Sequence, residues 1–199
     1  MPHPGARRPR KVFVVSGPSG AGKGTLIRGV TKYFPGLDVA ISATTRSARP
    51  GEVHGREYYF VSGAEFDGAV ERNEMLEHVE FAGNRYGTLT REIERLHAQG
   101  SHVILELELN GALAVQASEM DSVLIFIEPP DFAELERRLR SRASDSSEEI
   151  EQRMAVARAQ VDAKEQFDYV VVNDDQDRAI AELHEIIERE LSPLPSIGA

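Results

Sequence analysis

The sequence predicts an α/β protein in which a mostly parallel sheet is covered on both faces by helices and interrupted by a strand-rich insertion. Three observations carry that expectation. Short aliphatic runs such as Val12-Phe13-Val14-Val15 and Tyr169-Val170-Val171-Val172 read as buried strands. Between such runs lie stretches whose apolar residues recur at helical spacing. The alternation breaks once, over residues 42–87, where polar and glycine-containing sequence surrounds further strand-like runs.

In chain order, the first strand occupies residues 11–16 and is ended by Gly17 and Pro18, with a helix after it over 24–33. Residues 39–42 are extended, 44–57 are polar, and Tyr58-Tyr59-Phe60-Val61 returns as a strand. Ser62 and Glu65 have the spacing of a capping box, which starts a helix over 63–72. A strand over 75–81 closes the insertion. From Thr88 a helix leads to Gly100, and a second core strand spans 102–109. There Leu105, Leu107 and Leu109 alternate with Glu106 and Glu108, which puts both carboxylates on one strand face. Residues 122–127 form the third core strand, and Pro129-Pro130 breaks the chain. Asp131 with Glu134 caps a helix directed toward Arg142. Ile150, Met154, Ala157 and Val161 share one helical face, 169–172 is a buried strand, and Ile180, Leu183, Ile186, Ile187 and Leu191 define a closing amphipathic helix.

With 199 residues and 41% hydrophobic content the chain can build one core of medium size. A formal net charge of −10 argues against a non-specific grip on nucleic acid or an anionic membrane, so an anionic ligand must meet locally gathered arginines. The absence of cysteine excludes disulfides and thiolate chemistry and fits a reducing compartment. His3, His54, His78, His97, His102 and His184 lack the paired spacing of a metal set. Residues 1–11 carry prolines and arginines without the apolar stretch of a secretory signal, and no later run reaches membrane-spanning length, so the cytoplasm is the expected compartment. Residues 1–10 read as a disordered basic tail, and 192–199 as a second frayed end.

Gly17-Pro18-Ser19-Gly20-Ala21-Gly22-Lys23 lies between a strand and a helix, the setting in which the G-x-x-x-x-G-K pattern binds phosphate. Glycines let the backbone curl so that successive N–H groups face phosphate oxygens, the helix N-terminus adds its positive end, and Lys23 brings a mobile charge to the β- and γ-phosphates of ATP. The sheet is therefore of the P-loop NTPase type. Gly24 stands where serine or threonine usually places a hydroxyl on Mg²⁺, with Thr25 one position on. Glu106 is the carboxylate expected to hold the metal, through water.

The segment Thr44-Thr45-Arg46-Ser47-Ala48-Arg49-Pro50-Gly51-Glu52, followed by Gly55-Arg56-Glu57-Tyr58-Tyr59-Phe60-Val61 and Phe81-Ala82-Gly83-Asn84-Arg85-Tyr86-Gly87-Thr88, resembles the guanylate kinase family. The likeness extends from Val12 to Leu191. It implies an enzyme that moves the γ-phosphoryl group of ATP to GMP with Mg²⁺, giving ADP and GDP. It divides the chain into a core of residues 11–41, 88–137 and 154–191, a GMP-binding insert of 42–87 and a lid of about 138–153. Guanine offers N1–H and amino donors beside O6 and N7 acceptors, so a selective pocket wants carboxylates and hydroxyls. Glu77 and Glu108 can supply the first, Ser42 and Thr88 the second. The resemblance gives the 5′-phosphate to Arg46, Arg49, Tyr58 and Tyr86. Glu108 departs from the aspartate usual in the family, and the alternative for it is a strand carboxylate paired with an arginine.

The resemblance also places Arg138, Arg142 and Arg153 on the ATP phosphates and Asn173 near adenine, with ordinary turn chemistry as the alternative for Asn173. Ala143 and Ser144 replace the family's usual glycine and threonine. Two rivals stand beside this reading: a non-catalytic interaction module on the same fold, and a P-loop kinase for another small phosphate. The phosphate loop argues against the first, and Ser42, Glu77 and Thr88 argue against the second. The sequence leaves the oligomeric state open.

Overall fold

The computed structural model describes residues 10–81, 83–118, 120–141 and 147–192. Most of both expected tails, together with Arg142, Ala143 and Ser144 of the expected lid, lies outside the described residues. The elements run β1 (Val12–Ser16), α1 (Lys23–Val30), β2 (Leu37–Val39), β3 (Ala43–Thr44), β4 (Tyr59–Phe60), α2 (Gly63–Glu71), β5 (Met75–Phe81), β6 (Asn84–Leu89) and α3 (Thr90–Gln99). They continue as β7 (His102–Glu106), α4 (Leu109–Gln116), β8 (Ser122–Glu128), α5 (Phe132–Arg140), α6 (Ser147–Asp162), β9 (Tyr169–Val172) and α7 (Gln176–Leu191).

Five strands form a wholly parallel sheet in the order β2-β7-β1-β8-β9. β1 sits at its centre, so both of its faces are covered. Phe13 and Val15 pack with Leu26, Ile27 and Val30 of α1 and Leu183 and Ile187 of α7. Val12 and Val14 point the other way, into Ile93 and Leu96 of α3 and Val115 of α4. A strand buried on both faces has no polar alternation, which is why this run is continuously aliphatic. The α/β class with a parallel sheet between helices is thus the observed one.

The insertion forms a separate four-stranded sheet in the order β4-β3-β6-β5, with its own small core of Ala43, Phe66, Ala69 and Leu89. Its helix α2 starts with the expected capping box: the Ser62 hydroxyl accepts from the Glu65 N–H, and the Glu65 carboxylate accepts from the Ser62 N–H. A third small cluster joins α5 to α6 through Leu135, Leu139, Ile150, Met154 and Ala157.

Three local expectations are corrected. The extended stretch at 39–42 is not a strand of its own: β2 ends at Val39 in the core, residues 40–42 are the crossing, and β3 begins at Ala43 in the insert. Residues 84–89 are the strand β6 and the following helix starts at Thr90, because Tyr86, Gly87 and Thr88 pair across to β5 and β3. The strand expected over 102–109 ends at Glu106, and Glu108 is the N-cap of the helix α4. Glu106 and Glu108 therefore do not share a strand face. Val103, Ile104 and Leu105 are all buried because helices cover both faces of β7, and the leucine alternation read as one continuous core strand runs across a strand–helix boundary.

Candidate active site

The loop over residues 17–22 leaves the carboxyl end of β1 and enters α1. Gly17, Gly20 and Gly22 all have positive φ, at 142°, 90° and 95°. At Gly17 the requirement is doubled, since a Cβ there would collide with the carbonyl oxygen of Ile127. Gly17→Ala is expected to lower stability by about 1–3 kcal/mol from backbone conformation alone, and further from the collision, read as a lowered urea midpoint. Gly22 is the N-cap of α1 and has no side chain to offer, and the first turn carries no acidic residue. The helix N-terminus is thus left to an external anion. Lys23 folds back over the loop, its Nζ donating to the carbonyls of Gly17 at 2.5 Å and Pro18 at 3.3 Å.

A cavity of about 460 Å³ opens in front of this loop. Pro18, Ser19, Gly20, Gly22, Lys23, Gly24 and Thr25 line it together with Ser42, Tyr58, Glu106 and Glu108. Gly24 has a local reason: a Cβ there would stand 3.3 Å from Oε2 of Glu106 and 3.2 Å from an Arg28 guanidinium nitrogen. Arg28, which also lines the cavity and donates to the Thr25 hydroxyl at 3.3 Å, was not anticipated. Its position one helical turn beyond Gly24 is the signal that identifies it.

Glu77 and Thr88 are not in the cavity lining; Glu77 is 5% exposed and accepts from the Thr88 hydroxyl at 2.8 Å, while its Oε2 lies against Gly111 so closely that a Cβ there would be 2.7 Å away. Burial raises the Glu77 pKa, and the hydrogen bonds from Thr88 offset only part of that rise. Glu108 accepts from the Gln160 amide at 3.1 Å, so the arginine partner considered for it is not the contact formed.

The phosphate-binding residues expected on the insert divide into two groups. Arg46 is held in a fork by Glu52, both contacts at 2.9 Å, and its guanidinium lies 5.4 Å from the Tyr58 ring centre. Tyr58 and Tyr86 meet edge to face, 6.0 Å between centroids. The Glu52 carboxylate first, and Tyr86 less, raise the Arg46 pKa. Burial, then the Glu106 carboxylate, raises that of Tyr58, so its hydroxyl remains a donor. Arg49, by contrast, is exposed, and its backbone N–H donates to Glu52 at 2.7 Å. Of the four, only Tyr58 lines the cavity; the side chains of Arg46, Arg49 and Tyr86 do not. Glu52 organises both arginines and was missed, although it lies within the very motif that carries the family likeness.

On the nucleotide side, Arg153 donates to the Ser19 hydroxyl at 3.2 Å, which brings α6 to the phosphate loop. Arg138 pairs with Glu134 at 2.7 Å along its own helix and donates to the Asn173 carbonyl at 3.0 Å. Asn173 is 6% exposed, and its amide donates to the Ala21 carbonyl at 2.7 Å beneath the loop. Its side chain braces the phosphate loop from β9. Arg142 lies outside the described residues.

A parallel sheet whose central strand feeds a glycine loop and a capless helix, with a separate lobe facing that loop across a cavity, defines a P-loop phosphotransferase of the nucleotide-kinase kind. The guanylate kinase family profile matches residues 9–190. Guanylate kinases from Rubrobacter xylanophilus and Thermosynechococcus vestitus are each 46% identical to the chain, the first over 90% of it and 94% of the relative, the second over 94% and 97%. The crystal structure of guanylate kinase from Anaplasma phagocytophilum superposes with a TM-score of 0.72 at 29% identity, covering 94% of this chain and 89% of that one. The chain belongs to the guanylate kinase family.

Proposed function

We propose how this chain, an enzyme that transfers the γ-phosphoryl group of ATP to GMP to give ADP and GDP, divides that work among its residues. The observation that supports the scheme is that Lys23 and the loop glycines line one cavity together with Ser42, Tyr58 and Glu108, and that Glu77 and Thr88 form a buried hydrogen-bonded pair. The ATP phosphates lie on the backbone N–H groups of residues 17–25 and on Lys23. Arg138, Arg142 and Arg153 add fixed positive charge where negative charge spreads in the transition state. Asn173 holds the loop in shape. Ser42, Glu77, Thr88 and Glu108 read guanine, and Arg46, Arg49, Tyr58 and Tyr86 hold the acceptor phosphate so that its oxygen faces the γ-phosphorus.

Among the described residues no cluster of three metal-binding side chains exists. Glu106 stands beside Gly24, and a single carboxylate is compatible with Mg²⁺, which takes most of its ligands from phosphates and water. When bound there, Mg²⁺ would neutralise the β- and γ-phosphate oxygens. Among the described residues no helix is long and apolar enough to cross a membrane, and a cytoplasmic site of action is part of the proposal.

A panel of acceptors in a coupled ADP-release assay tests the scheme. GMP should be turned over best, and an equal or better rate with AMP, CMP or UMP would overturn the base-reading set. A pH profile tests Glu77 separately. Ionisation of Glu77 costs folding free energy, since its folded pKa is raised, so its contribution to stability is greatest at low pH and is lost as pH rises through that raised value. Binding has the opposite sign, because only the ionised group accepts both guanine donors. The kcat/KM for GMP is expected to climb through an acid limb placed above the ordinary carboxylate range, and Glu77→Gln should remove that limb.

A further inference from the structure

Glu92 is a carboxylate that is 2% exposed, on the first turn of α3 and outside the cavity lining. Its two oxygens take four hydrogen bonds. Oε1 accepts from the backbone N–H of Ile41 at 3.2 Å and from Arg95 Nη2 at 2.8 Å. Oε2 accepts from the Tyr59 hydroxyl at 3.0 Å and from Arg95 Nε at 2.9 Å. Burial alone would push its pKa up, but Arg95, Ile41 and Tyr59 together hold it below the ordinary carboxylate value, so it remains ionised.

The partners come from three parts of the fold. The chain passes from the five-stranded sheet into the insert between β2 and β3, and Ile41 is in that crossing. It returns where β6 ends at Leu89 and α3 begins at Thr90, and Glu92 lies on the first turn beyond. Tyr59 belongs to β4, inside the insert. One carboxylate thus ties both crossings together and fastens them to an insert strand. An apolar contact would hold the lobes yet let them slide, whereas the bonds from Ile41 and Tyr59 are directional and end on a buried charge that Arg95 of the same helix holds in place, which restricts the angle.

Each tie on the insert side is also one peptide bond from a residue assigned to GMP. Ile41 precedes Ser42, and Tyr59 follows Tyr58. The Ser42 carbonyl accepts from the Tyr59 N–H at 2.9 Å, which locks the two together. We infer that Glu92 is a positioning residue for the acceptor: it sets the angle at which the insert presents Ser42 and Tyr58 to the phosphate loop. The inference rests on the assignment of those two residues to GMP.

The test uses the full chain with Glu92→Gln, Tyr59→Phe and the double variant, and Tyr59→Phe carries it if Glu92→Gln does not fold. The KM for GMP should rise roughly tenfold in Glu92→Gln and roughly threefold in Tyr59→Phe, with the KM for ATP changed less than about twofold. In the double variant Tyr59→Phe should add little, because the bond it removes has already been weakened. Amide exchange at Ile41 and Ser42 should quicken in both single variants. A GMP KM unchanged in both while the melting temperature falls would make Glu92 a purely structural ion pair, and parallel increases in both KM values would equally overturn the inference. Tyr58→Phe and Ser42→Ala, run alongside, separate the two levels. If neither alters the KM for GMP, the pocket assignment fails on its own account, and unaltered exchange at Ile41 would then remove the positioning role as well.

Discussion

Replacing Lys23 by alanine is expected to lower phosphoryl transfer by roughly 10²- to 10³-fold at saturating ATP, the range found when one fixed transition-state donor is removed. Lys23 is 8% exposed, and an ammonium is buried at a cost unless it is hydrogen-bonded. Two loop carbonyls meet two of its three donors. The third is available to a phosphate. Alanine loses that charge together with the tether across Gly17 and Pro18, so Lys23→Met, which keeps the apolar stem, belongs in the same experiment. Both variants should keep the far-UV circular dichroism of the parent, because α1 is anchored by Leu26, Ile27 and Val30 rather than by Lys23. Near-parental turnover in both would contradict the assignment of the loop.

Glu77→Gln is expected to lower kcat/KM for GMP by roughly tenfold to 150-fold, the equivalent of losing a charged hydrogen bond worth about 1.5–3 kcal/mol. Oε1 can still accept from Thr88 after the change. The altered arm is the one against Gly111, where an amide donor would meet a guanine donor. Discrimination against IMP, which lacks the amino group, should shrink with it. Stability should hold or improve at neutral pH, since the substitution removes a buried charge whose pKa is raised by that burial. Loss of activity with retained or increased stability distinguishes a binding role from a structural one. A GMP-to-IMP ratio identical to the parent's would return Glu77 to the rank of an ordinary insert carboxylate.

The parallel sheet was legible because its strands are aliphatic on both faces, and α2 because Ser62 and Glu65 carry a local signal that needs no tertiary context. β6 was not legible. Its residues Arg85, Tyr86 and Gly87 have no helix- or strand-specific pattern, and they are extended because β3 and β5 pair with them on either side. Glu108 was misplaced for a related reason: a strand followed at once by a helix can imitate continued alternation, and only the rung from the Leu107 N–H to the Val15 carbonyl shows where the sheet lets go. Of the site, the contiguous phosphate loop could be read as a unit. Contacts made at long range could not, among them Asn173 with Ala21, Gln160 with Glu108, and Glu92 with Ile41.

The contiguity of the insert also bears on how the chain assembles. Val12 of β1 pairs with Val103 of β7 and with Ser122 of β8, so the central strand must wait for partners about ninety or more residues downstream. During synthesis that wait lasts roughly 5 to 20 seconds, with a continuously aliphatic segment unpaired. The insert lies wholly within the interval. Its own pairings span shorter separations and are expected to close first, and they bring the ends of the lobe together where Ile41 meets Glu92. About half of the intervening chain is then no longer slack, which lowers the closure cost of the β1–β7 pairing by about 0.6 kcal/mol. An insert that folds first would act as a splint for the sheet that carries the phosphate loop.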